Sequence, residues 1–105
     1  DFVFVEDVVR AMVLSAERAA GAHGPFNIGT GRSISIHTLA ATLQGLVPVD
    51  RDTTYGPPRP GDIRHSASDI RRAKAALGYR PKVTLEDGLQ ATVQWFRECQ
   101  IAAGR

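Results

Sequence analysis

The sequence predicts an α/β chain of about four helices and two or three short strands. Three observations lead there. Apolar residues recur at helical spacing in four segments, short β-branched and aromatic runs lie between turn-forming residues, and glycine or proline marks most of the joins. At 105 residues, with 43% hydrophobic and 23% charged positions, the chain has the make-up of one small globular unit able to bury a modest core.

Phe2-Val3-Phe4-Val5 is an unbroken apolar run, as expected of a strand covered on both faces. Asp7 stands where an N-cap is expected, and Val8, Val9, Met12, Val13 and Ala16 predict a helix running to about Ala20, stopped by Gly21. Phe26-Asn27-Ile28 reads as a second short strand, ended by Gly29-Thr30-Gly31. Ser35 caps a second helix whose stripe is Ile36, Leu39, Ala40, Leu43 and Leu46, and Pro48 closes it. Thr53 to Tyr55 is expected to form a short edge strand.

Gly56-Pro57-Pro58-Arg59-Pro60-Gly61-Asp62 follows, in which three prolines and two glycines exclude a helix and predict a constrained, extended loop. Ser68 or Asp69 can cap a short helix carrying Ile70, Ala73, Ala76 and Leu77, with Gly78 as its stop. Thr84 and Asp87 resemble a capping box with Asp in place of the usual Glu, opening a last helix with the stripe Leu85, Leu89, Val93 and Phe96.

Composition narrows the function. No apolar run is long enough to span a membrane, and no basic start leads into an apolar h-region, so a cytoplasmic protein without a membrane partner is expected. The lone Cys99 cannot form an internal disulfide and reads as an inert helix residue. The pI is near 9.1. The net charge is only +2, however, and the one local cluster, Arg71, Arg72 and Lys74, reads as a solvated helix face. Nucleic acid is not expected as a partner.

The chemistry-bearing patterns are few. Gly29-Thr30-Gly31 suggests a phosphate loop, but it belongs to no Gly-x-Gly-x-x-Gly or Gly-Lys-Ser/Thr motif, so a turn is the better account. His23, His37 and His65 lack metal-ligand spacing, and the serines include no Gly-x-Ser-x-Gly elbow, so neither a metal site nor a catalytic residue is expected. Arg59 is different. Held between prolines, its guanidinium is pre-organised to grip phosphate oxygens, and Asp62 could accept from a ribose hydroxyl; equally, the two could form a surface ion pair in a stiff connector.

Four blocks taken together resemble the C-terminal part of the extended short-chain dehydrogenase/reductase family, in its branch of nucleotide-sugar epimerases and dehydratases. They are Asp1-Phe2-Val3-Phe4-Val5-Glu6-Asp7-Val8-Val9, Phe26-Asn27-Ile28-Gly29-Thr30-Gly31, Pro58-Arg59-Pro60-Gly61-Asp62-Ile63-Arg64-His65-Ser66 and Leu77-Gly78-Tyr79-Arg80-Pro81. The resemblance implies a fragment of an extended Rossmann-type enzyme, residues 1–105 being its small nucleotide-sugar-binding portion. It implies that Arg59 binds the substrate diphosphate and that Asp62 contacts the ribose. Ser66 would lie beside the sugar, where a small residue leaves room for an N-acetyl group; a small residue in a packed turn is the competing account.

Other family features are missing from this sequence: the phosphate-binding arginine that precedes the first block, the glycine-rich NAD motif, and the Tyr-x-x-x-Lys pair, since neither Tyr55 nor Tyr79 has Lys four residues on. The resemblance thus implies a chain inactive by itself, with NAD bound by an absent N-terminal Rossmann portion and no cofactor of its own. In the intact enzyme, expected to be a homodimeric UDP-sugar 4-epimerase or a 4,6-dehydratase, NAD would transiently oxidise the sugar at C4. The alternative is a stand-alone, non-catalytic nucleotide-sugar-binding or protein-interaction module. Without a larger sheet, the opening strand and first helix are expected to leave apolar surface exposed and the chain prone to self-association.

Overall fold

In the computed structural model, which describes residues 1–18, 23–48 and 52–102, each of the four segments of helical periodicity forms a helix. These are α1 (Val5–Glu17), α2 (Ile36–Leu46), α3 (Arg71–Leu77) and α4 (Leu85–Ala102). Ser35 caps α2 as expected, its hydroxyl oxygen accepting from the Thr38 N–H at 3.0 Å. α2 ends at Leu46, two residues before Pro48. Gly78 stops α3 in the left-handed region at φ +69°, where glycine meets no Cβ penalty. α4 opens directly after Thr84 with Glu86 and Asp87 in its first turn, where negative charge suits the helix dipole.

Two expectations about helix starts are corrected. α1 starts at Val5 with Phe4 at the N-cap position, so Asp7 lies inside the first turn and its carboxylate turns to another task. The N-cap position of α3 is Ile70, with no side-chain cap bond. Asp69 instead accepts from the Arg71 N–H and grips the Arg71 guanidinium. The expected end of α1 near Ala20 and its stop at Gly21 fall outside the described residues.

The expected strands are also corrected: among the described residues there is none. Phe4 has extended dihedrals, φ −79° and ψ 145°, but Val5 already belongs to α1. Phe2–Phe4, Phe26–Ile28 and Thr53–Tyr55 carry no strand ladder. A strand is defined by hydrogen bonds to a neighbour, and an apolar β-branched run specifies only the half of the ladder that it contributes.

The chain divides into two compact units, the first made of Asp1–Ser33 with His65–Leu85 and the second of Ile34–Arg64 with the chain from Glu86 onward. In unit 1, α1 packs on α3. Ala11, Ile70, Ala73, Leu77 and Tyr79 form the buried core, with Leu14, Phe26 and Ile28 packed against it. Phe26 and Ile28 thus serve as packing residues rather than as strand residues. The buried side of α1 is Asp7 and Ala11. Its apolar stripe is turned out, as expected of this helix without a larger sheet: Val9, Met12 and Val13 are each more than half exposed.

In unit 2 the stripe of α2 is half-buried at Leu39, Ala40, Leu43 and Leu46, while Ile36 is exposed. Leu89 and Val93 of α4 are half-buried and Phe96 is exposed. The Arg97 guanidinium donates to the Leu46 carbonyl at 3.1 Å, satisfying one of the free carbonyls at the end of α2. A cleft of about 330 Å³ is lined by Gly45, Leu46, Gln90, Val93, Gln94 and Arg97.

Candidate functional site

The loop singled out by its prolines forms a tight turn at its centre. The Asp62 N–H donates to the Arg59 carbonyl at 3.2 Å. Pro60 and Gly61 occupy the two central positions, with Gly61 at φ +85°. Proline followed by a glycine of positive φ is the signature of a type II turn, so Arg59 and Asp62 are the fixed first and last residues of one reverse turn. Both side chains are exposed, and neither takes part in an ion pair among the described residues. The surface ion pair open to them on sequence grounds is therefore not formed, leaving a guanidinium and a carboxylate on a stiffened loop of unit 2. Ser66 is exposed and belongs to unit 1; its carbonyl accepts from the Asp1 main-chain nitrogen at 2.8 Å.

Unit 1 is organised by polar contacts between residues far apart in sequence. The Asp1 carboxylate accepts from the Thr30 N–H at 2.8 Å, the Thr30 hydroxyl at 2.7 Å, the Gly31 N–H at 2.9 Å and the Ser68 N–H at 3.2 Å. Asp7 is fully buried and accepts from the main-chain N–H groups of Lys82 and Val83 at 3.0 to 3.1 Å and from Arg10 at 2.6 Å. Tyr79, also fully buried, donates its hydroxyl to the Gly29 carbonyl at 2.8 Å. Among the described residues no buried side-chain polar atom is left without a partner, as a well-formed interior requires.

Burial, reinforced by the negative charge of Asp7, raises the Tyr79 phenol above its ordinary range. It therefore stays protonated and acts as a structural donor. At the surface, the Arg71 guanidinium bound to Asp69 lowers that carboxyl to about 2. All three residues of the basic cluster are exposed, as expected of a solvated helix face. Arg72 donates to the carbonyls of His23 and Pro25 and stacks over the Phe26 ring, pinning that loop onto α3. Among the described residues no group of His, Cys, Asp and Glu could hold a metal ion, and no helix is long and apolar enough to cross a membrane.

Asp1, Asp7 and Tyr79 were missed as organising residues because each acts on a segment 29 to 76 residues away. One signal was present: Asp1, Asp7 and Tyr79 all fall within the first and last of the four blocks.

No family model matches the chain. It is 41% identical to UDP-glucose 4-epimerase of Mycolicibacterium smegmatis over 97 residues, covering 92% of this chain and 31% of the relative. It superposes with a TM-score of 0.86 and 44% identity on UDP-glucose 4-epimerase of Thermotoga maritima, solved with UDP-glucose, over 94% of this chain and 31% of that one. MoeE5, solved with UDP-glucuronic acid and NAD, gives a TM-score of 0.80 at 33% identity over 94% of this chain and 33% of that one. The chain thus spans about a third of the length of the relatives it matches. Along nearly its whole length the chain is homologous to the C-terminal region of NAD-dependent nucleotide-sugar epimerases and dehydratases of the extended short-chain dehydrogenase/reductase type.

Proposed function

We propose that this chain is the substrate-gripping portion of an NAD-dependent UDP-sugar 4-epimerase, and that NAD and the catalytic residues come from an N-terminal portion like that of its relatives. Arg59 binds the diphosphate, Asp62 the ribose, and Ser66 borders the sugar. The observation that carries this reading is the match, at 44% identity, to an epimerase solved with UDP-glucose. The turn supports it, because it offers the Arg59 guanidinium to solvent with no internal ion pair among the described residues. Holding the nucleotide at such remote contacts keeps the reacting carbon near the nicotinamide, so a segment without catalytic residues still supports the rate.

The outward stripe of α1 supports the reading too. Val5, Val9, Met12 and Val13 are between 51% and 67% exposed, an apolar face suited to burial against further polypeptide of the same enzyme.

Calorimetric titration of UDP and UDP-glucose into the protein at its natural length tests the assignment. A charge-assisted phosphate contact is worth about 1.5–3 kcal/mol, so Arg59→Ala should weaken UDP binding by roughly 10- to 100-fold. Unchanged affinity for both ligands would show that the phosphate role is wrong.

A further inference from the structure

We propose that Asp1 is a positioning residue for the sugar end of the substrate, acting through Ser66. The proposal rests on the placing of Ser66 beside the sugar and adds what holds it there. Asp1 contacts the segment that carries Ser66 through its carboxylate, which accepts from the Ser68 N–H at 3.2 Å. This contact ties the segment, two residues after Ser66, to the residues before α1.

The carboxylate is itself immobilised. Three further donors reach it from the turn at residues 29 to 31, the Thr30 N–H and hydroxyl and the Gly31 N–H, all between 2.7 and 2.9 Å. That turn must come unusually close. A Cβ at position 29 would lie 2.7 Å from the Asp1 carboxylate and 2.8 to 2.9 Å from the Ser68 side chain, so only glycine leaves room. Gly31, at φ +70°, turns the chain immediately after Thr30. One carboxylate thus joins three segments separated by up to 67 residues, and charge-assisted bonds to main-chain N–H groups are among the stronger ones available. The Arg59–Asp62 turn takes no part in this node, so Asp1 should govern the fit of the sugar and leave the grip on the nucleotide unaltered.

The experiment compares wild type, Asp1→Ala and Asp1→Asn at natural length, with dissociation constants for UDP, UDP-glucose and UDP-N-acetylglucosamine measured by calorimetry. In Asp1→Ala the constant for UDP is expected to stay within about twofold, while those for the two UDP-sugars rise roughly tenfold more, a loss near 1.4 kcal/mol. Asp1→Asn keeps one acceptor oxygen and should recover part of that loss; it carries the test if the alanine variant does not fold. Equal weakening of all three ligands, or no selective weakening of the sugars in either variant, overturns the positioning role. Ser66→Tyr separates this from failure of the underlying reading. It should weaken UDP-N-acetylglucosamine more than UDP. If it shifts all three ligands equally, Ser66 does not face the sugar, and the role given to Asp1 falls with it.

Discussion

Asp7→Ala should be the most damaging single change in unit 1, and its cost can be worked from the contacts. The carboxylate is fully buried and accepts from the main-chain N–H groups of Lys82, at 3.0 Å, and Val83, at 3.1 Å. Alanine leaves both donors without that acceptor, and each such loss costs about 1–3 kcal/mol. Lys82 is exposed and Val83 half-buried, so water recovers part of this, bringing the estimate to roughly 2–4 kcal/mol for the pair. The ion pair with Arg10, whose side chain is 31% exposed, adds less. Asp7→Asn keeps the shape but turns one acceptor into a donor facing an N–H, a loss of about 1–2 kcal/mol. Arg10→Ala removes only the outer partner and should cost under about 1 kcal/mol. Urea denaturation followed by far-UV circular dichroism reads these as midpoint shifts at constant m-value. The expected order is Asp7→Ala, then Asp7→Asn, then Arg10→Ala. If Arg10→Ala proved as costly as Asp7→Ala, the ion pair rather than the main-chain bonds would be the stabilising contact, and the reasoning would fail.

Two other substitutions test the same unit. Tyr79→Phe removes the donor to the Gly29 carbonyl and should cost about 1–2 kcal/mol at neutral pH, measured by the same denaturation. Because burial raises the phenol above its ordinary value of 10.0, the folded chain holds that proton more tightly than the unfolded one. Its contribution is therefore complete below that pH and lost as pH rises beyond it, so the wild type should lose stability on alkaline titration and Tyr79→Phe should lose less. Gly78→Ala forces a side chain into the left-handed region at φ +69° and should lower stability by about 1–2 kcal/mol, with Gly78→Asn milder because asparagine tolerates that conformation. Equal melting temperatures for wild type and both variants would contradict the role of Gly78 as an obligatory helix stop.

How much of this could be read in the sequence depended on the range of the interaction involved. The four helices follow from local rules: the spacing of apolar residues, the Ser35 hydroxyl three residues before the N–H it caps, and Gly78 at the positive-φ position that stops α3. The Arg59–Asp62 turn was equally local, since Pro60 and Gly61 specify a type II turn within four residues. The four blocks in register also pointed to the enzymes whose C-terminal region the chain is homologous to.

Strand formation was not decided by these residues. Phe2–Phe4 and Phe26–Ile28 have strand-like composition, but a ladder needs a partner that composition does not name. The orientation of α1 went the same way. Periodicity gave an apolar stripe at Val9, Met12 and Val13, expected to be left exposed without a larger sheet, but did not name the side that turned inward, whose Asp7 found the main-chain donors of Lys82 and Val83. Asp1 joining residues 30, 31 and 68, and Tyr79 reaching Gly29, are likewise visible only when distant segments meet. The sequence by itself determined the four helices, the Gly78 stop, the stiff loop around Arg59 and the likeness to nucleotide-sugar epimerases and dehydratases, because these depend on residues a few positions apart or on linear blocks. Tertiary structure alone decided which faces are buried and which carboxylates hold the fold, because a buried polar group is stable only where the rest of the chain brings it a partner.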